Sequence, residues 1–353
     1  MIDPKLKVGF VTPRLAAAAA VDANLGDALI DRRNLIAAGA SAPILMAQRS
    51  SEVAQAKPRV RQGKTFVLIH GSWHSSGHWQ RLIPLLSAAG HAVVAPDLPG
   101  HGLSARFPDG YFERPIDLVR FSAAVSPVAG VTLDQYVDMI AQSVRFVAEA
   151  GAGPVVLVGH SMGGVALTAV AERFPKSIQH IVYLAAFMPT HGASALAYLG
   201  APEAASGAFG PLLLGDPAKT GCARIDVRSA DPKYVAALKF ALYNDVDEQT
   251  FQAAANLLTP DDPIGHFAAP TVRTAANWGR VPRSYIKTKR DNALPLALQD
   301  RFLRETAEFA PGNPTGVYEL ETGHSPFLSQ PEALANILIE VAKAADVGAA
   351  PGK

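Results

Sequence analysis

The turn Gly159-His160-Ser161-Met162-Gly163 constrains the fold of this chain more than any other feature of its sequence. It follows the apolar run 154–158 and precedes the helix-compatible stretch 164–174. This order predicts a strand, a sharp turn and a helix, with the Ser161 hydroxyl exposed at the carboxyl end of the strand. The flanking glycines suit such a turn because its backbone leaves no room for a Cβ two residues before or after the serine. An ordinary glycine-rich connection between strand and helix is the alternative interpretation.

Further apolar runs without polar alternation predict a sheet that is buried on both faces. Helical patterns of about a dozen residues separate these runs, which is typical of parallel strands joined by helices. The fold class predicted is therefore α/β, with a doubly wound, mostly parallel sheet. The predicted strands are 66–69, 92–95, 154–158, 178–185, 284–288 and 316–320, and the predicted helices include 133–147, 164–174, 296–306 and 331–345.

Residues 187–280 interrupt this alternation. They are rich in Ala, Gly and Pro and contain helical patterns but no strong strand pattern. An insertion between two late strands of the sheet predicts a helical cap that supplies pocket walls and excludes water. We therefore expect one domain over residues 61–346, with the cap inserted at about 187–280 and a short tail at 347–353.

The N-terminal residues 1–60 have the order of features found in export signals. Arg32 and Arg33 precede a mildly apolar stretch at 35–47, and Ala54-Gln55-Ala56 then offers a small-x-small cleavage site. Paired arginines and a weakly apolar core resemble a twin-arginine signal, which predicts cleavage near Ala56 and a periplasmic or secreted protein. The alternative is an Ala-rich extension with two chance arginines on a cytoplasmic protein.

The balance of charge argues against several classes of partner. With 32 basic and 31 acidic residues, the formal net charge is +1, and no basic stripe or acidic tail is present. Nucleic acid and membrane surfaces are therefore not expected partners, and no apolar run is long enough to span a bilayer. The single cysteine, Cys222, excludes an intramolecular disulfide framework and a thiolate metal cluster. The oligomeric state does not follow from the sequence.

Two downstream residues complete a candidate catalytic set with Ser161. A serine hydroxyl needs a base to take its proton, and the base needs a carboxylate that fixes its tautomer. Asp291 comes just after the strand 284–288, and His324 comes just after the strand 316–320. The order Ser161, Asp291, His324 therefore predicts a triad at the carboxyl edge of the sheet. Asp97 is the main alternative acid, and Asp261 and Asp262 are weaker ones.

An oxyanion hole requires two backbone N–H groups that point to the developing negative charge. Met162 follows the serine and would supply one, and Ser72, in the loop after the first strand, would supply the other. Spacings of four between His70, His74 and His78 would suit a metal on a helix, but the intervening glycines and serines favour a loop, so no metal is expected. The predicted substrate pocket, for which ordinary packing is the alternative, comprises Trp73, His74, Phe187, Met188 and Trp278.

With these residues in place, the chain from Lys64 to about Ala345 resembles an α/β-hydrolase. It is similar to the branch that holds plant methylesterases, bacterial esterases including pyrethroid hydrolases, and hydroxynitrile lyases. The segments that carry the resemblance are 66–79, 95–102, 159–164, 183–189, 291–295 and 323–332. The resemblance implies Ser161 as nucleophile, His324 as base, Asp291 as acid, Ser72 and Met162 as oxyanion donors, and no cofactor.

Two departures from the lyase members favour hydrolysis over cyanohydrin cleavage. The resemblance implies a lysine after the catalytic histidine and a threonine after the first His of the lyases, where this chain has Ser325 and Gly71. Without that lysine, nothing would stabilise departing cyanide. We therefore expect a serine carboxylesterase that acts on small to medium hydrophobic esters, aryl or methyl, through an acyl-enzyme. The alternatives are a lyase of the hydroxynitrile type and a non-catalytic protein that binds a small ligand.

Overall fold

Six parallel strands form the central sheet, in the order β2-β1-β3-β4-β7-β8. The computed structural model describes residues 63–151 and 153–347, so the predicted export signal with its cleavage site at Ala56, and the tail beyond residue 347, lie outside it. The strands are β1 Thr65–Ile69, β2 Ala92–Val94, β3 Val155–His160, β4 Ile178–Leu184, β5 Cys222–Arg224, β6 Asp261–Pro263, β7 Arg283–Thr288 and β8 Gly316–Leu320.

Twelve α-helices connect or flank these strands within the described residues. They are α1 Ile83–Ala88, α2 Leu118–Ala123, α3 Leu133–Glu149, α4 Gly163–Arg173, α5 Ala195–Leu199, α6 Pro217–Thr220, α7 Pro232–Leu242, α8 Glu248–Ala255, α9 Gly265–Ala268, α10 Leu296–Phe309, α11 Pro326–Ser329 and α12 Pro331–Val347. Helix α1 packs against α12, and α3 packs against α4. No helix in the described ranges is long and apolar enough to cross a membrane.

The central strands are buried along their whole length. Every residue of β1 and of β3 is buried, although successive side chains of a strand point to opposite faces. Both faces of the sheet are therefore covered at β1 and β3, as the uninterrupted apolar runs predict, whereas most of the edge strand β8 is exposed. The predicted α/β fold with a mostly parallel sheet is confirmed.

Helix α3 shows how a local sequence signal fixes the start of an element. Thr132 Oγ1 accepts from the N–H of Gln135 at 3.3 Å, and Gln135 Oε1 accepts from the N–H of Thr132 at 2.9 Å. This reciprocal pair satisfies two N–H groups at the start of the helix. The apolar face that follows, with Val137, Ile140 and Val144 among its members, is buried.

The segment between β4 and β7 is the predicted cap, and it differs from the prediction in one respect. It contains helices α5 to α9, as expected, but also an antiparallel pair formed by β5 and β6. The cap is therefore mainly helical, and its two-stranded sheet is a feature that the sequence does not predict. Arg224 of β5 and Asp261 of β6 form a buried pair, with Nε–Oδ1 and Nη2–Oδ2 distances of 2.6 and 2.7 Å. A pairing between residues so far apart in sequence leaves no periodic signal.

Candidate active site

The turn between β3 and α4 places Ser161 in a strained backbone conformation. Its φ is +53°, in the left-handed region that non-glycine residues rarely adopt. Two backbone hydrogen bonds hold it there: the Ser161 N–H donates to Leu184 O at 3.2 Å, and the Phe187 N–H donates to Ser161 O at 2.9 Å. A Cβ at Gly163 would lie 2.6 Å from His70 O, so the loop after β1 approaches this turn closely.

Asp291 and His324, which follow the adjacent strands β7 and β8, are joined by a short hydrogen bond. Asp291 Oδ2 lies 2.8 Å from His324 Nδ1, and both residues are buried. The same carboxylate accepts from the N–H groups of Ala293 and Leu294 at 2.8 Å each and from Thr288 Oγ1 at 2.7 Å. These donors fix the carboxylate, so His324 Nδ1 carries the proton and Nε2 is left to accept one.

His160 connects the Ser161 turn to the loop that carries His324. Its Nε2–H donates to His324 O at 2.9 Å, and the two rings lie 4.5 Å apart. Burial, together with the nearby His324, holds the pKa of His160 well below its usual value, so this ring is neutral. The described hydrogen bonds do not include one between Ser161 Oγ and His324 Nε2. Such bonds are commonly long in enzymes without substrate and shorten when substrate binds.

The loop after β1 lies directly against Ser161. A Cβ at Gly71 would lie 2.7 Å from Ser161 Cβ, which places the next residue, Ser72, beside the turn. Met162 immediately precedes α4. Within the described part of the chain, no backbone acceptor takes the N–H of Ser72 or of Met162. Both predicted oxyanion donors are thus near Ser161, and neither N–H group is engaged by a backbone acceptor in the described residues.

Trp73 and His74, two of the predicted pocket residues, extend from this loop into the cap. The Trp73 Nε1–H donates to Ala223 O at 2.8 Å, and its ring lies 5.4 Å from that of Phe209. Phe209 in turn lies 6.3 Å from the His324 ring. The sequence does not indicate Phe209, because a single aromatic residue in an Ala- and Gly-rich stretch carries no periodic signal. Trp73 and Phe209 therefore form an apolar wall beside His324.

The remaining predicted pocket residues are placed differently from one another. The backbone N–H of Phe187 donates a hydrogen bond to Ser161 O. The Phe187 ring packs on that of Phe302, with 5.6 Å between the ring centres. Met188 is fully buried. Trp278 precedes the amino end of β7, and its Nε1–H donates to Tyr183 Oη at 2.8 Å. Trp278 is therefore not brought to Ser161 by any contact in the described residues.

The histidines with metal-like spacing use their ring nitrogens in hydrogen bonds to the protein. His70 Nδ1–H donates to Gly71 O at 2.9 Å, and its Nε2 accepts from the Leu98 N–H at 3.0 Å. His78 Nε2–H donates to Ala254 O at 3.2 Å. Among the described residues, no group of three His, Cys, Asp or Glu side chains could hold a metal ion.

The alternative acids are engaged elsewhere. Asp97 accepts from the N–H groups of Ser76 and Leu103, at 2.7 and 3.0 Å, and so stabilises two loops. Asp261 pairs with Arg224 in the cap sheet, and Asp262 Oδ1 lies 3.2 Å from His101 Nε2. The carboxylate hydrogen bonded to His324 is that of Asp291.

The comparison with known proteins identifies the family. A model described as the alpha/beta hydrolase family matches residues 66–337. The chain therefore belongs to the alpha/beta hydrolase family.

Relatives within this family support an esterase. Methylesterase 17 of Arabidopsis thaliana is 29% identical over 305 residues, which cover 84% of this chain and 97% of that protein. A pyrethroid hydrolase of Sphingobium wenxiniae is 26% identical over 278 residues, which cover 79% and 87%. An alpha-hydroxynitrile lyase of Arabidopsis thaliana is also similar. A crystal structure of a pyrethroid hydrolase shares the fold, with a TM-score of 0.64 at 24% identity, and covers 80% of this chain and 98% of its own.

Proposed function

We propose that this protein is a serine carboxylesterase in which Ser161 is the nucleophile, His324 the general base and Asp291 the acid. The observation that carries the proposal is the 2.8 Å bond between Asp291 Oδ2 and His324 Nδ1 beside the strained Ser161 turn. A nucleophile on a turn at the end of a strand, with a carboxylate-oriented imidazole nearby, is the arrangement that acyl transfer requires.

The mechanism follows from the atoms that are free to act. His324 Nε2 takes the proton of Ser161 Oγ as this oxygen attacks the ester carbonyl. The N–H groups of Ser72 and Met162 stabilise the oxyanion, and one such donor is typically worth about 3 kcal/mol in the transition state. The alcohol leaves with the proton from His324. Water, activated by the same base, then hydrolyses the acyl-enzyme.

We infer a small to medium hydrophobic ester, aryl or methyl, as the substrate class. Trp73 and Phe209 supply aromatic surface beside His324, and an apolar wall favours an apolar acyl or alcohol group. The similarity to a methylesterase and to a pyrethroid hydrolase supports an ester substrate. Ser325, a neutral residue, follows the base where the resemblance to lyases implies a lysine, which favours hydrolysis.

The first test compares wild type with Ser161→Ala on p-nitrophenyl acetate and butyrate and on a panel of methyl and aryl esters. We expect the variant to lose about three orders of magnitude or more in kcat/KM, because it removes the nucleophile. Ser143→Ala is the matched control, since this serine lies on α3 and its hydroxyl donates to Met139 O at 3.1 Å.

The outcome separates the esterase from its alternatives. Absence of ester turnover in folded wild type would contradict the proposal. Release of aldehyde from a cyanohydrin would then favour a lyase. Tight binding of an ester without turnover would favour a protein that only binds ligands.

A further inference from the structure

We propose that Tyr243, Asn244 and Asp245, directly after α7 in the cap, are positioning residues that hold together the three loops of the active site. Each of these consecutive residues reaches a different loop: the one with the oxyanion donor Ser72, the one with Asp291, and the one with His324. The proposal rests on the proposed function and adds to it a structural role for the cap beyond that of a pocket wall.

Asp245 holds the loop that carries the base. Its Oδ2 accepts from the N–H of Gly323 at 2.8 Å, and Gly323 directly precedes His324. The contact is close, since a Cβ at residue 323 would lie 1.7 Å from Asn244 Oδ1 and 3.0 Å from Asp245 Oδ1. A side chain at position 323 would therefore force Asn244 or Asp245 to move away from the loop before His324.

Asn244 holds the loop that carries the acid. Its Nδ2 donates to Arg290 O at 2.8 Å, and Arg290 directly precedes Asp291. The Arg290 N–H in turn donates to Thr322 O at 2.9 Å, which links the acid loop to the base loop. Asn244 and Asp245 therefore fix the two loops relative to each other and to the cap.

Tyr243 reaches the oxyanion loop through His74. His74 Nδ1 lies 2.7 Å from Ser72 O, and since a carbonyl only accepts, this nitrogen carries the proton. His74 Nε2 must then accept, and the Tyr243 hydroxyl donates to it at 2.9 Å. Burial lowers the pKa of His74 and raises that of Tyr243, so both groups are neutral near pH 7 and the chain of bonds is intact there.

Such a device matters because the three loops belong to different parts of the chain. A displacement of about 1 Å between catalytic groups can cost about a hundredfold in rate. None of the three residues is required to touch substrate. Their loss should therefore lower kcat per folded molecule and leave KM nearly unchanged. A general loss of folding would instead reduce the amount of folded protein.

The test uses Asp245→Ala and Tyr243→Phe, measured on the best ester of the panel. We expect kcat to fall about tenfold or more in Asp245→Ala, with KM within about twofold. Asp245→Asn should restore most of the loss, because its amide oxygen still accepts from the Gly323 N–H. Tyr243→Phe keeps the buried ring and provides a second, foldable variant, in which His74 Nε2 loses its donor.

Asp231→Ala is the matched control in the same cap. Asp231 caps the other end of α7, where its carboxylate accepts from the Lys233 N–H at 2.9 Å, and it is exposed to solvent. This variant should lower the melting temperature slightly and leave kcat unchanged. The proposal would be overturned if all three variants, Asp245→Ala, Tyr243→Phe and Asp231→Ala, kept the kcat of wild type. It would also be overturned if kcat fell by the same factor in all three.

A second readout does not depend on ester turnover. The proton of His324 Nδ1 in the bond to Asp291 gives a low-field proton NMR signal when it is shielded from solvent. We expect Asp245→Ala to broaden or shift this signal and Asp231→Ala to leave it unchanged. If wild type hydrolyses no ester, the proposed function fails, but this signal still tests the positioning role. An unchanged signal in Asp245→Ala would count against that role.

Discussion

Gly71 sets how closely the loop after β1 can approach the turn that carries Ser161. A Cβ added there would lie 2.7 Å from Ser161 Cβ and 3.1 Å from both His160 Nδ1 and His160 O. Contacts below 3 Å between a Cβ and another atom force one of the two groups to move. At this position either Ser161 or the backbone of Ser72 would have to shift.

We therefore predict that Gly71→Ala lowers kcat by about tenfold or more while the protein remains folded. The physical cause is displacement of Ser161 from the Ser72 N–H. Gly312→Ala serves as the control, because a Cβ there has no atom within 4 Å. Ester kinetics and a thermal melt of both variants provide the measurement, and equal kcat values would show that the loop accommodates the methyl group.

At this scale the sequence predicts the residues that follow strands and misses those that act through distant contacts. Ser161, Asp291 and His324 each come just after a predicted strand, so the chain order alone places them at one edge of the sheet. Asn244 lies in the cap and carries no such marker. Its role depends on the contact with Arg290 O, which exists only once the cap has folded over the sheet.

At the scale of elements, the long apolar strands and periodic helices are predictable and the short cap strands are not. Helix α10 begins at Leu296 as expected and extends to Phe309, three residues beyond its predicted end. By contrast, β5 and β6 have three residues each, and β6 reads Asp-Asp-Pro, which is typical of a turn. Their pairing depends on the buried contact between Arg224 and Asp261, which tertiary structure alone brings about.

We predict that Asp261→Ala lowers the free energy of unfolding by about 3 kcal/mol or more, because it leaves the buried Arg224 guanidinium unpaired. Replacing both residues, as in Arg224→Met with Asp261→Leu, should recover part of this loss. Urea unfolding followed by circular dichroism measures both variants. An Asp261→Ala variant as stable as wild type would show that water or another group replaces the carboxylate as partner of the Arg224 guanidinium.

At the scale of the whole molecule, several buried histidines make stability depend on pH. Burial lowers the pKa of His70 to about 3 and those of His78, His180 and His266 to about 4. In the unfolded chain the pKa of a histidine is about 6.5. Between these values the unfolded chain binds more protons than the folded one, so acid favours unfolding.

The melting temperature should therefore fall as the pH drops from about 6.5 to 5, a range above the ordinary pKa of carboxyl groups. The contribution of His78, His180 and His266 should level off only near pH 4, where these histidines take up protons in the folded protein. Calorimetry across this range tests the prediction. His180→Gln should make the slope shallower, because it removes one of the buried histidines whose pKa is lowered. A melting temperature independent of pH would contradict the prediction.

The positive φ of Ser161 sets stability against chemistry at a single position. A conformation of this kind costs a non-glycine residue about 1–3 kcal/mol, and glycine adopts it freely. Glycine at 161 would relieve that strain and remove the only hydroxyl at the tip of the turn. A laboratory selection for heat resistance alone would thus tend to discard the proposed nucleophile, and engineering of a more robust variant must select for turnover at the same time.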